Sequence, residues 1–213
     1  MGDKPNMTRE EFLSKYWRYY LMLEKKFIVS INYVELDKKN YSTFSIEYAH
    51  LLQAICGELD TFFKQYCDFD FDDSNKKGIK DYAKKILNDY PEITKKVIVV
   101  SNRDIEFIPF ENWNQENAGE SLKWWQEYNN VKHKRIQHME EASLENVLYS
   151  LGALFLLEMK YLKNIADGTQ DIDIPDEETS IFYLKDWVYR YGKMGDWHCP
   201  IVDGEMVLGG GSY

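Results

Sequence analysis

Apolar residues recur every three or four positions through most of this chain, the spacing of helices that bury one face. Phe12, Tyr16, Tyr19, Leu23, Phe27, Ile31 and Val34 form a first stripe, and Thr8-Arg-Glu-Glu11 ahead of it has the form of a capping box. After a short break at Asp37-Lys-Lys-Asn40, a second helix is expected from Ser42 or Thr43, carrying Phe44, Tyr48, Leu52, Ile55, Leu59, Phe62 and Tyr66. Two long helices joined by so short a turn run antiparallel. Residues 68–77 have no apolar period and read as a loop. A shorter helix with Ile79, Tyr82, Ala83, Ile86 and Leu87 follows, ended by Tyr90-Pro91.

The pattern then changes. Val97-Ile-Val-Val100 and Ile105-Glu-Phe-Ile108 flank the turn-forming run Ser101-Asn-Arg-Asp104, which predicts a small hairpin lying on the helices. Helical spacing resumes from Ser121 to about His133 with Leu122, Trp125 and Tyr128. From Ser143, Leu144, Val147, Leu148, Leu151, Leu154, Phe155, Leu157 and Met159 make the broadest apolar surface in the chain, which predicts a central helix. Gly152 and Ala153 on it allow a neighbour to approach closely. An acidic stretch runs to Glu178, and Ile181, Phe182, Leu184, Trp187, Val188 and Tyr189 suggest a final short helix or extended strap. The expected fold is therefore mainly α: an antiparallel helical bundle over residues 1–166, interrupted by a β-hairpin near 97–108. Residues 167–213 form an acidic linker and a C-terminal extension that packs on the bundle.

Composition narrows the function classes. The 213 residues are 44% hydrophobic and 29% charged, ordinary for a globular chain, which excludes global disorder. With 26 Lys and Arg against 36 Asp and Glu, the net charge of -10 argues against a coat for duplex DNA or a polybasic membrane binder. The most apolar run, Leu144 to Leu162, is broken by Glu145, Asn146, Glu158 and Lys160, so no membrane anchor is expected. The start Met-Gly-Asp-Lys-Pro lacks the pattern of a secretory signal, and Asn6 stands where a myristoylation signal has Ser or Thr. A cytoplasmic location with reduced cysteines is expected.

Against that acidic background, the segment from Lys123 to Arg135 holds four cations and one carboxylate. Asn129 and His133, four apart, share a helix face with Tyr128 beside them, and Lys132, Lys134 and Arg135 surround the imidazole. Such a cluster suits an anion. Cleaving an RNA phosphodiester without a metal requires a proton-transfer group and fixed cations for the phosphoryl oxygens, and these residue types supply both. A symmetric dimer would provide a second proton-transfer group.

Other chemistries find less support. His133 and His138 are five apart and project about 140° from each other on a continuous helix, so a shared metal is not expected. Trp197-His198-Cys199 lacks a second ligand pair. The acidic runs 68–73 and 167–178 alternate oxygens as calcium loops do, but Asp73 and Ile172 stand at the sixth place, where the turn needs glycine. No phosphate-binding glycine loop, dinucleotide fingerprint, serine elbow or zinc-protease motif occurs, and no cofactor is implied.

The order of two long helices, an inserted region with strands, and the segment Trp124-Trp-x-x-Tyr128-Asn-x-Val-Lys-His133 leading into the apolar helix resembles the HEPN superfamily. It is similar in particular to members from bacterial phage-defence and toxin–antitoxin systems. The likeness covers roughly Thr8 to Leu162 in architecture and Tyr128 to His133 in motif. It implies a homodimerising bundle and, in active members, a metal-independent endoribonuclease. The family motif is an arginine, usually followed by a polar residue, with a histidine after a gap of four to six. Asn129 and His133 match the polar residue and the histidine, whereas Tyr128 stands at the arginine position, exchanging a bidentate cation for one hydroxyl. By resemblance, His133, Asn129 and Tyr128 are the catalytic candidates, and Lys132, Lys134 and Arg135 the RNA phosphate contacts. Two readings stay open: an RNA-binding protein or endoribonuclease of a bacterial defence or stress system, with RNA or an antitoxin as partner, and a non-catalytic interaction module.

Overall fold

The computed structural model describes residues 7–69, 77–166, 173–190, 200–202 and 205–206. Thr8 opens the first helix with a full capping box: its hydroxyl accepts from the Glu11 amide, and the Glu11 carboxylate accepts from the Thr8 amide. Helix α1, Arg9–Phe12, continues through a π-helical turn, Leu13–Trp17, into α2, Arg18–Ser30. The wider turn admits one extra residue and changes which residue next faces the core. The buried stripe therefore becomes Phe12, Tyr16, Tyr20, Leu23 and Phe27, with Trp17 also covered. Tyr19, assigned to the core by regular spacing, is 41% exposed.

Helix α3, Ile46–Tyr66, begins later than its hydrophobic stripe suggests, because Ser45 is the N-cap and accepts from the Tyr48 amide. It runs antiparallel to the first helix, with Tyr16 meeting Phe62 edge-on at 5.1 Å. Helix α4, Ile79–Asp89, stops before Pro91 and is tied to α3 by the Tyr82 hydroxyl on Asp60, 3.0 Å. Strands β1, Ile98–Val100, and β2, Glu106–Phe107, form the expected hairpin, with Asn102 at φ 59 in its turn. Helices α5, Lys123–Lys134, and α6, Leu144–Ala166, complete the bundle.

Helix α6 is buried around nearly its whole circumference. It starts where α3 starts, since Phe44 and Ser143 are bridged and the Leu144 amide reaches the Thr43 carbonyl at 2.8 Å. The two also meet further along, where Phe62 packs on Tyr161 at 5.5 Å. Helix α6 is thus parallel to α3, which corrects the expectation of an antiparallel bundle: the chain leaves α3 at its C-terminal end, and the long excursion through residues 67–143 brings it back to the N-terminal end.

The hairpin sits on α6 because Gly152 has no side chain. A Cβ there would lie 2.6 Å from the Phe107 ring. Strand β3, Phe182–Leu184, pairs antiparallel with β1, giving the order β2-β1-β3. This segment is strand, with no short helix. Strands β4, Val188–Arg190, β5, Pro200–Val202, and β6, Glu205–Met206, form a second antiparallel sheet.

The approach to β3 is pinned to the first helix. Arg9 donates to the Ile174 carbonyl and the Asp176 carboxylate, both at 2.7 Å, and the Trp17 indole donates to the Glu177 carbonyl at 2.6 Å. Glu24, buried in α2, accepts from the Tyr20 and Thr179 hydroxyls and from the Ser180 amide and hydroxyl. Four donors on one buried carboxylate satisfy its lone pairs. Among the described residues, no helix is long and apolar enough to cross a membrane.

Candidate functional site

Helix α5 turns Trp124, Trp125, Tyr128 and Val131 inward. The Trp124 indole donates to the Pro109 carbonyl at 2.8 Å, and Trp125 meets Phe63 of α3 edge-on at 5.8 Å. Both tryptophans are core residues, so neither is free to stack on a base. The last turn carries Lys132, His133 and Lys134, with Arg135 at the C-cap. Cations there complement the negative end of the helix dipole, which gives them a structural use independent of any ligand.

Tyr128 is only 5% exposed, with its ring 5.5 Å from Trp125. Burial pushes its hydroxyl pKa up, opposed by the neighbouring Lys132 ammonium. Lys132 Nζ lies 5.3 Å from the centre of that ring, a cation–π contact that fixes the direction of the lysine. The tyrosine thus forms a seat for a cation. Asn129, half-buried, donates its amide to the Trp125 carbonyl at 2.8 Å. Lys132, His133, Lys134 and Arg135 are all exposed, and among the described residues none of the four pairs with a carboxylate. Elsewhere Arg9, Lys15, Lys64, Lys85, Arg103, Lys123 and Lys185 do so, while the exposed pairs Lys25-Lys26 and Lys38-Lys39 also have no carboxylate partner among the described residues. The next residue, Ile136, is 95% exposed. The structure thus brings Lys132, His133, Lys134 and Arg135 to one solvated turn, places Asn129 one turn earlier, and sets Tyr128 in the core.

A second cluster sits beside this turn. His138 Nδ1 is 2.8 Å from one carboxylate oxygen of Glu141, and the Asn130 amide donates to the other at 2.9 Å. Asn146 on α6 donates to the Glu141 carbonyl at 2.7 Å and to the Glu127 carboxylate, while Lys123 pairs with Glu145 at 2.7 Å. Burial raises the Glu127 pKa, and Glu141 and Glu145 add to the effect. In the sequence, His138 stands out only as a possible partner for His133. The signal available was the three-residue spacing to Glu141 across a short 3-10 turn, Met139–Glu141. Asn130, eleven residues away from Glu141, carries no such local signature.

Among the described residues, no three His, Cys, Asp or Glu side chains gather as a metal site. Trp197, His198 and Cys199 lie outside the described residues, as do positions 70–73 and 167–172 of the two acidic runs. Cys56 and Cys67 are free and buried, and burial pushes both thiols up. No protein-family model, no curated protein and no solved structure matches this chain.

Proposed function

We propose that the protein is an HEPN-like RNA-binding protein or metal-independent endoribonuclease of a bacterial defence or stress system, with RNA engaged at the end of α5. One observation carries the reading: on a chain of net charge -10, Lys132, Lys134 and Arg135 crowd one exposed turn around His133, and none of them pairs with a carboxylate among the described residues. Like charges held together without counter-charges suit an anionic ligand, and a polymer of phosphates meets several at once.

In this reading Lys132, held on the Tyr128 ring, Lys134 and Arg135 take phosphoryl oxygens. His133 transfers a proton to or from the reacting oxygens, and Asn129 sits one turn before it on the same side. Tyr128 acts by positioning Lys132 and does not touch the substrate. The bundle dimerises as the resemblance implies. A second reading, a non-catalytic protein-interaction module, is favoured by the exposed Ile136 next to the basic turn and by the absence of arginine at position 128.

Labelled single-stranded RNA in excess chelator separates the two. Cleavage by wild type that falls by a factor of about 100 or more in His133→Ala is expected of the nuclease. Binding that a Lys132→Glu/Arg135→Glu double variant abolishes, without cleavage by either protein, leaves an RNA-binding protein. Equal and negligible binding and cleavage by all three proteins overturn the RNA reading.

A further inference from the structure

We infer that His138 is a general base of this same site, held for proton abstraction by Glu141. The inference rests on the RNA reading above and adds a residue that the family-like motif does not contain. The geometry is that of an oriented imidazole. With Nδ1 2.8 Å from a carboxylate oxygen, the ring is held with its proton on Nδ1, and Nε2 carries the lone pair. Glu141 is itself fixed, because Asn130 occupies its other oxygen at 2.9 Å. A carboxylate in this position also stabilises the imidazolium that forms when Nε2 accepts a proton. The His138 side chain remains 30% exposed, and Nε2 makes no hydrogen bond among the described residues.

Its place in the fold joins it to the cationic turn. The His138 amide reaches the Arg135 carbonyl at 3.3 Å. Asn130 lies three and four residues before His133 and Lys134, so on α5 it is their neighbour one turn away. His133 has no orienting carboxylate among the described residues, and His138 has one. In the step assigned to it, His138 Nε2 takes the proton of an RNA 2′-hydroxyl as the 2′-oxygen bonds to phosphorus and the bond from phosphorus to the 5′-oxygen breaks. The leaving 5′-oxygen takes its proton from the protonated His133 imidazole, and water carries the proton held by His138 back to His133. The products are a 2′,3′-cyclic phosphate and a 5′-hydroxyl, with no net gain or loss of protons.

Two measurements test this. Long-range proton–nitrogen NMR of the full chain reads the tautomer of each histidine. His138 is expected as the Nδ1-protonated form in wild type and as the ordinary Nε2-protonated form in Glu141→Ala. Cleavage of single-stranded RNA in chelator is expected to fall about 100-fold or more in His138→Ala and in His138→Gln. The glutamine variant retains a hydrogen-bonding partner for Glu141 and so guards against loss of folding. Glu141→Ala is expected to slow the reaction. Cleavage undiminished in both His138 variants, or an Nε2-protonated His138 in wild type, overturns the inference. Wild type that binds RNA but never cuts it also overturns it, leaving RNA binding at α5 intact, and wild type that neither binds nor cuts overturns both.

Discussion

Glu158 lies in the middle of α6 with none of its surface exposed, and neither of its carboxyl oxygens has a hydrogen-bond partner. Burial drives its pKa well above 4.5, Glu58 on α3 adds to the shift, and its charge in turn helps to raise Tyr16 and Tyr20 on the first helix. The folded chain therefore keeps a proton that the unfolded chain releases near 4.5. Stability is at its fullest below that value and falls as pH rises toward the raised folded value. Glu58 contributes in the same direction, because burial raises it too. Leucine at this place removes an unsatisfied buried group, so Glu158→Leu is expected to gain about 1–3 kcal/mol at neutral pH. It should also flatten the dependence of Tm on pH above 4.5. Thermal denaturation of both proteins across that range checks this, and equal slopes count against it. Single residues were the least legible level in the sequence. A glutamate in an apolar stripe shows as an interruption, not as a protonated acid. Tyr128 showed as a missing arginine, whereas its role as a ring beneath Lys132 needed the packing of α5 on α3.

Elements were read more accurately, because hydrophobic spacing reports which face of a helix is covered. The helices, the 97–108 hairpin and the central place of α6 follow from that spacing alone. The failure at Tyr19 has a specific cause: a π-turn inserts a residue without changing composition, so Tyr20 takes the buried place that even spacing gives to Tyr19, while Leu23 and Phe27 keep theirs. Cap positions were displaced for a similar reason, since Ser42, Thr43 and Ser45 are all competent caps and only the bridge of Phe44 to Ser143 selects the last. Gly152 was legible as a point of close approach, and its energetics can be weighed. Alanine gains about 1 kcal/mol of helix propensity. Its Cβ would strike Phe107, which cannot withdraw freely because Tyr149 is 4.8 Å and Phe182 5.8 Å from it. Overpacking of this kind costs about 1–3 kcal/mol, so Gly152→Ala is expected to lose about 1 kcal/mol net. Chemical denaturation measures the difference, and a gain in stability would refute the account of how the hairpin seats on α6.

At the scale of the molecule, the contrast between the net charge of -10 and the cationic turn at the end of α5 makes a quantitative demand on any RNA complex. Three phosphate contacts, from Lys132, Lys134 and Arg135, give a slope of about −2 for log affinity against log salt with single-stranded RNA. Replacing one of the three by alanine lowers that slope by about 0.7. Titrations at several salt concentrations read it directly, and a flat response would place the binding energy elsewhere. The class of the fold, mainly helical with a small sheet, was legible from periodicity. The parallel relation of α6 to α3 was not, because it depends on where a long excursion comes back, and no local pattern records that.

The pairing of Val99 with Tyr183 also sets an order of events during synthesis. Translation proceeds at roughly 5–20 residues per second, so on the order of ten seconds separates the emergence of the two strands from the ribosome. Through that interval the nascent chain carries an open edge on β1, a template on which any other extended segment could assemble. Safe folding in the cell then depends on how well the helices, or a chaperone, shelter that edge until its own third strand arrives.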